Sequence, residues 1–200
     1  MIQALLFLLL IIMLLIAIWI VVSIFSGRVK EPSYERVVLK KGYEIRDYDP
    51  YIEATTIVDD SYANALYEGF RRIGGYIFGN NTKKQSIAMT APVLDTALSE
   101  KKRKVSFVMP EGSKLHALPD PEDDRIKLVS KPRQMVAVIS FRGPLSTQRI
   151  AKKQARLLAL LAQDKITITD KPRSARYNPP WTFPLIARNE IQVAVSLKNK

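Results

Sequence analysis

At 200 residues and a net charge of +12, the chain suits one ordinary domain with an appendage, and 47% hydrophobic with 25% charged residues excludes disorder as its main state. The absence of cysteine excludes disulfides, thiolate nucleophiles, zinc fingers and iron–sulfur ligation. A single histidine, His116, excludes an H-E-x-x-H motif and any multi-histidine metal site.

From Ala4 to Val22 nineteen consecutive residues are apolar and no charged side chain precedes Arg28, so all of the net charge lies between Arg28 and Lys200. In a helix rising about 1.5 Å per residue that run covers about 28 Å, close to the roughly 30 Å of a bilayer's hydrocarbon layer. It is apolar all round, whereas an interfacial helix needs a charged face. The competing readings are a buried core helix and a cleaved secretory signal, but the basic start and A-x-A-like site of a signal are missing. We expect a single-pass anchor over residues 1–25, with Trp19 at the interface between lipid and water. Arg28, Lys30, Arg36, Lys40 and Lys41 follow the span, and that bias places the body on the cytoplasmic side of the cell membrane, although large domains can translocate despite flanking charge.

Residues 26–42 read as a polar linker with Gly27 and Pro32, which leaves 43–198 as the folded body. Tyr43–Tyr48 and Ile52–Val58 read as strands separated by the turn pair Asp49-Pro50, with Ile52, Ala54, Thr56 and Val58 on one face. A helix follows. Asp59, Asp60 or Ser61 can cap it, and Tyr62, Leu66, Phe70, Ile73 and Ile77 recur near a 3.6-residue period opposite Asn64, Glu68 and Arg71. Gly74, Gly75 and Gly79 supply its stop. Ser86–Leu94 is irregular and extended, and the next strand carries Val105, Phe107 and Met109 on one face before Pro110 ends it.

The order then repeats. Lys131-Pro132 stands where Asp49-Pro50 stood, Met135–Phe141 is an apolar β-run, and Ser146 or Thr147 caps a helix carrying Ile150, Leu157, Leu158 and Leu161. Met89–Val93 finds a counterpart in Tyr177–Trp181, and Val105–Met109 in Ile191–Val195. The fold class is α+β: a distorted antiparallel β-barrel of about eight strands, built from two pseudo-symmetric β-β-α-β-β halves with two flanking helices.

The segments Tyr43-Glu-Ile-Arg-Asp-Tyr48, Tyr76-Ile-Phe-Gly-Asn80, Ile87-Ala-Met-Thr-Ala-Pro-Val93, Val105-Ser-Phe-Val-Met-Pro110, Leu118-Pro-Asp-Pro121, Tyr177-Asn-Pro-Pro-Trp-Thr182 and Arg188-Asn-Glu-Ile191 resemble the SOUL/haem-binding protein family in order and spacing, from about Val37 to Leu197. The resemblance implies a monomeric pseudo-symmetric barrel whose apolar groove holds non-covalent haem or a related tetrapyrrole. Two departures from that family stand out: the added N-terminal apolar helix, and the lack of a histidine in the helix region where one member's proposed iron ligand lies.

A haem site needs apolar wall, cations for the propionates and, optionally, an axial ligand. The first helix of the body offers Phe70 and Ile73 as wall, with Arg71, Arg72 and nearby Lys83 and Lys84 as propionate partners; the plainer reading is a core stripe beside a solvated basic face. Met89 and Met109 are thioether or wall candidates that equally suit core filling. Trp181 is placed to close a groove mouth or to pack across the barrel end, and His116 is a loop histidine and possible axial ligand. Asp120, Glu122, Asp123 and Asp124 lack the spacing of a calcium loop and read as a solvated turn. No nucleotide fingerprint, nucleophile elbow or nucleic-acid motif is present, so nucleic acid is not an expected partner and binding is expected rather than catalysis. The leading reading is a membrane-anchored protein for haem binding, buffering or delivery. The alternatives are an anchored sensor or interaction module for another lipophilic ligand, and an enzyme that processes tetrapyrroles.

Overall fold

The computed structural model describes residues 2–26 and 29–197. Gly27 and Arg28, read above as the start of the linker and the first charge, and Lys198, read as the end of the body, lie outside the described residues. Helix α1, Ile2–Ser26, contains a stretch from Leu5 to Ile24 with a mean hydropathy of 3.5, mostly exposed with Ser23 buried, which is long and apolar enough to cross a membrane. Its last turns touch the body. Trp19 Nε1 donates to the carbonyl oxygen of Trp181 at 2.7 Å, its ring meets Phe183 edge-on at 5.0 Å, and the Phe183 amide donates to Ser23 Oγ at 2.8 Å.

The segment read as a linker carries a strand, β1 (Tyr34–Lys40), in antiparallel register with β2 (Tyr43–Tyr48). Charged residues at Glu35, Arg36 and Lys40 suit an exposed edge strand, and that composition is what made the segment look unstructured. Next come β3 (Tyr51–Asp59), α2 (Tyr62–Ile77), β4 (Val93–Ala97) and β5 (Lys102–Val108). The second half supplies β6 (Ile126–Lys131), β7 (Gln134–Arg142), α3 (Thr147–Gln163), a two-residue β8 (Thr167–Ile168), β9 (Arg173–Arg176) and β10 (Arg188–Ser196).

The sheet runs β1-β2-β7-β10-β9-β4-β5-β3-β6, with β8 added on β10, and every pairing between these strands is antiparallel. It curls into a half-barrel that stays open between β1 and β6. Exchanging each element of one half for its counterpart (β2 for β6, β3 for β7, β4 for β9, β5 for β10) returns the same order read backwards, with the centre between β4 and β9. The halves are thus pseudo-symmetric, and they interlock. The turns at Asp49-Pro50 and Pro132 do not make hairpins: β2 pairs with β7 and β3 with β6, so each half lends its first two strands to the other.

Alternation along the strands splits the side chains between two faces. On one, α3 covers Tyr43, Ile45, Ala137, Ile139, Ile191 and Val193, while α2 covers Ile52, Ala54, Val105, Phe107 and Met109. The stripe that α2 buries runs through Ala65, Gly69, Ile73, Tyr76 and Ile77, rotated from the expected one, so Phe70 falls outside it. Gly69 is the cause. A Cβ there would lie 2.6 Å from the Val105 side chain, so the helix settles on its small residues and closely approaches β5. Gly74 and Gly75 sit inside the helix; the stop is Gly79, at φ +117°. Ser61 occupies the N-cap position of α2 without a side-chain cap, whereas Ser146 Oγ accepts from the Arg149 amide at 3.3 Å on α3.

Candidate functional site

The face of the sheet turned away from the helices is filled with tyrosines and buried ion pairs. Glu190 is completely buried and takes a forked contact from Arg46, with Nη1 and Nη2 each 3.0 Å from a carboxylate oxygen. Tyr177 donates its hydroxyl to the same carboxylate at 2.7 Å, Gln192 its amide at 2.9 Å and Arg188 its guanidinium at 2.9 Å. Burial alone would raise the pKa of Glu190. The hydrogen bonds and charge of Arg46, with Gln192 and Tyr177, outweigh that and hold it down to about 2. Burial and the Glu190 charge push the Tyr177 phenol up, so it stays a proton donor. Gln192 Oε1 accepts from Arg173 Nε at 3.1 Å, and Arg173 continues the network to Glu53 at 2.9 Å and to the Tyr51 hydroxyl at 3.0 Å.

Small-molecule pockets usually enclose about 300 to 1,000 Å³. The clefts here measure about 40 Å³, between Pro32–Ser33 and Glu111–Ser113, and about 230 Å³, beside Asn178–Thr182. Neither cleft matches a large flat ligand in size, whereas α2 presents an outer apolar surface.

Opposite its buried stripe, α2 presents Tyr67, 68% exposed, and Phe70, 39% exposed, with Phe78, 65% exposed, just past its end. Arg71 lies between them on the same side of the helix. The Phe70 ring leans on Phe107 at 5.3 Å between centroids, which holds it against the sheet. Arg71, exposed on this face, is held by Glu68 at 2.9 Å. Arg72 turns back to the sheet. Its Nη1 donates to the Ile57 carbonyl at 3.3 Å, and its buried Nε has no hydrogen-bond partner among the described residues.

Of the residues expected to form the site, Phe70 and Arg71 come together on the outer face, with Arg72 at its edge. Ile73 and Met109 lie in the core beneath and offer no accessible surface. Met89 is partly buried against the same cluster. Trp181 is brought to α1 instead, and His116 is exposed in the loop between β5 and β6. Lys83 and Lys84 are already engaged, the first with the Ala117 carbonyl at 3.2 Å and the second with Glu122. Among the described residues no group of three or more His, Cys, Asp or Glu is placed to hold a metal; the acidic loop is tied down locally, Asp123 by Arg125 at 2.7 Å. Tyr67 and Phe78 were missed because both fall outside the period that Phe70 shares with Ile73 and Ile77. A 3.6-residue search for a second stripe would have found them.

A pseudo-symmetric curled antiparallel sheet with one helix per half is the architecture of SOUL-type domains, and the sequence matches the SOUL heme-binding protein family over residues 29–194. The chain belongs to that family. It is 29% identical over 155 residues to mouse Heme-binding protein 2, covering 74% of each chain, and 30% identical over 146 residues to the human protein of that name, covering 69% of this chain and 71% of the other. Bovine Heme-binding protein 1 is 30% identical over 172 residues, 80% of this chain and 89% of its own. Among solved structures, the EcmrR C-terminal domain superimposes with a TM-score of 0.60 at 14% identity, covering 82% of this chain and 98% of that one. A hydrolase from Listeria innocua gives 0.53 at 12%, covering 80% and 94%. At such identities these two share the fold alone.

Proposed function

We propose that this protein is a membrane-anchored haem- or tetrapyrrole-binding protein that holds its ligand non-covalently on the outer face of α2. The observation that carries the reading is the exposed aromatic stripe of Tyr67, Phe70 and Phe78 beside Arg71. From Tyr67 to Phe78 it extends about 16 Å at about 1.5 Å per residue, a fitting bed for a flat apolar macrocycle. Kinship with named haem-binding proteins supplies the ligand class. The fit is to the disc and the propionates. Arg71, whose pairing with Glu68 is solvent-exposed, can exchange that partner for a propionate at little cost. Iron finds few donors, since Met109 is buried and His116 sits on a loop. Haem brings redox and ligand chemistry of its own when bound; this chain supplies apolar contact, a cation and exclusion of water from one side of the ring.

Helix α1 supports the anchor, and the basic residues that follow it favour a cytoplasmic body. The test is titration of the full-length protein in detergent micelles with haemin, followed by Soret absorbance. Saturable binding that weakens in Phe70→Ala is the expected result. A preference for lipophilic cations over haemin would replace tetrapyrrole with another ligand, turnover of the bound macrocycle would make the protein an enzyme, and unchanged binding in Phe70→Ala would remove α2 as the site.

A further inference from the structure

The contact between α1 and the loop joining β9 to β10 fixes the depth at which that loop lies. Trp19 is five residues before Ile24, where the apolar stretch ends, which is about 7.5 Å along the helix axis. The loop residues that touch Trp19 and Ser23 therefore sit level with the last turns of the span, at the height of lipid headgroups and the first acyl carbons. Their composition suits that height. The run Pro179-Pro-Trp-Thr-Phe-Pro-Leu185 carries no charge, and Trp181 and Leu185 are 63% and 70% exposed. Indole rings favour this zone because one edge is polar and the body is apolar.

Behind the loop lies the cleft of about 230 Å³, walled by Gly143–Leu145, Arg176, Asn178–Pro180, Thr182 and Asn189. Thr182 is only 4% exposed, and its hydroxyl has no hydrogen-bond partner among the described residues, which leaves an unused donor in the wall. Arg188, at the start of β10, is neutralised by Glu31 at 2.8 Å and Glu190 at 2.9 Å. Arg176 has no such carboxylate partner among the described residues, and it brings an uncompensated positive charge to a cleft beside the membrane.

We propose that the Pro179–Leu185 loop and this cleft form a lipid-docking surface, the loop resting in the interface and the cleft taking the anionic headgroup of a membrane phospholipid. The proposal rests on α1 being a membrane anchor, and it adds a function for the second half of the body, away from α2. A phosphodiester offers acceptors to the Arg176 guanidinium and the Thr182 hydroxyl, and the net +12 of the body draws it toward anionic lipid.

The test uses full-length protein in bilayer nanodiscs of phosphatidylcholine with a minority of phosphatidylglycerol. Alkaline carbonate extraction of membranes comes first: release of the wild type would end the anchor reading, and this proposal with it. With the anchor intact and Trp19 kept, Leu185→Cys gives the chain its one thiol and so a single attachment point for an environment-sensitive dye. The dye's emission should be quenched by phosphatidylcholine brominated near the headgroup end of the acyl chain. Quenching by aqueous iodide alone would overturn the loop placement. After mild detergent release, native mass spectrometry should find phosphatidylglycerol retained in preference to phosphatidylcholine. Arg176→Gln and Thr182→Val should each lower that retention, Arg176→Gln by at least about fivefold, roughly 1 kcal/mol. Equal retention in variants that still resist carbonate and melt normally would overturn the headgroup site while leaving the anchor standing.

Discussion

Helices α2 and α3 occupy equivalent places in the two halves, each bearing a buried stripe against its own strands, yet they turn different faces to solvent. The outer face of α3 carries Ala151, Lys152, Ala155, Arg156 and Ala159, all exposed, whereas that of α2 carries Tyr67 and Phe70, with Phe78 just beyond. The duplication thus contains its own control. Both halves must bury a stripe to hold the sheet, and both do. Only one keeps large aromatic surface in water, where grouped exposed aromatics mark an interaction site rather than a folding requirement. The fold accounts for what the helices share, and on the proposed reading ligand binding accounts for what separates them.

The comparison breaks first if the interior that both halves build is not the scaffold. Arg46→Ala leaves Glu190 buried without its main partner, and removing one member of such a pair costs about 3 to 5 kcal/mol. Denaturant unfolding at neutral pH should read that loss with or without haemin; a loss below about 1 kcal/mol would demote the network. Acid offers a second way in. The carboxyl of Glu190 is held down to about 2 from an ordinary 4.5, so its contribution is full above pH 4.5 and disappears as pH falls toward 2. A shift of that size corresponds to about 3 kcal/mol over this window, and Glu190→Gln should flatten that part of the stability profile measured by chemical unfolding.

Ligand effects come next in size and belong to α2 alone. Phe70→Ala should weaken haemin by about tenfold or more, roughly 1.4 kcal/mol, with little change in melting temperature because the ring is partly exposed. Ala155→Ser, on the matching face of α3, should leave the titration unchanged. Equal losses from both substitutions would show that the two helices are not distinguished by function. The smallest effect is expected at His116. Exposed on a loop, it should change affinity by less than about threefold, about 0.6 kcal/mol, when replaced by alanine. Loss of the Soret shift in that variant alone would move the site off α2.

Local pattern revealed most of the elements. The strand Tyr43–Tyr48, the helix from Tyr62 to Ile77 and the start of the second helix at Thr147 coincide with what spacing and turn residues imply. Strand order was out of reach because it is a non-local property: a short turn at Asp49-Pro50 suggests a hairpin, while β2 pairs with β7 and β3 with β6 across roughly 70 to 94 residues of chain. Strand β1 was hidden by its charge. The helix stripe was misjudged for a packing reason, since Gly69 scores as weakly apolar yet makes the closest approach to the sheet. Arg46, Glu53, Arg173 and Glu190 passed unremarked because charge in a strand ordinarily signals a solvated face. Here both faces are covered, and the clue lay in the polar Glu190 and Gln192 alternating with the apolar Ile191 and Val193 in β10, all four buried.

The crossed strands carry a consequence for the origin and handling of this fold. A single half, made as a separate polypeptide, keeps the pairing of its second strand with its last (β3 with β5, β7 with β10) but loses the cross-pairing of its first two strands, which a second identical half restores by a twofold rotation. The present chain is arranged as a symmetric dimer whose subunits were joined end to end, and the tether replaces a concentration-dependent encounter by a permanent one. Cutting the loop between Gly112 and His116 should accordingly yield two fragments that stay together until denaturant separates them, and that reassemble when mixed although neither is native alone.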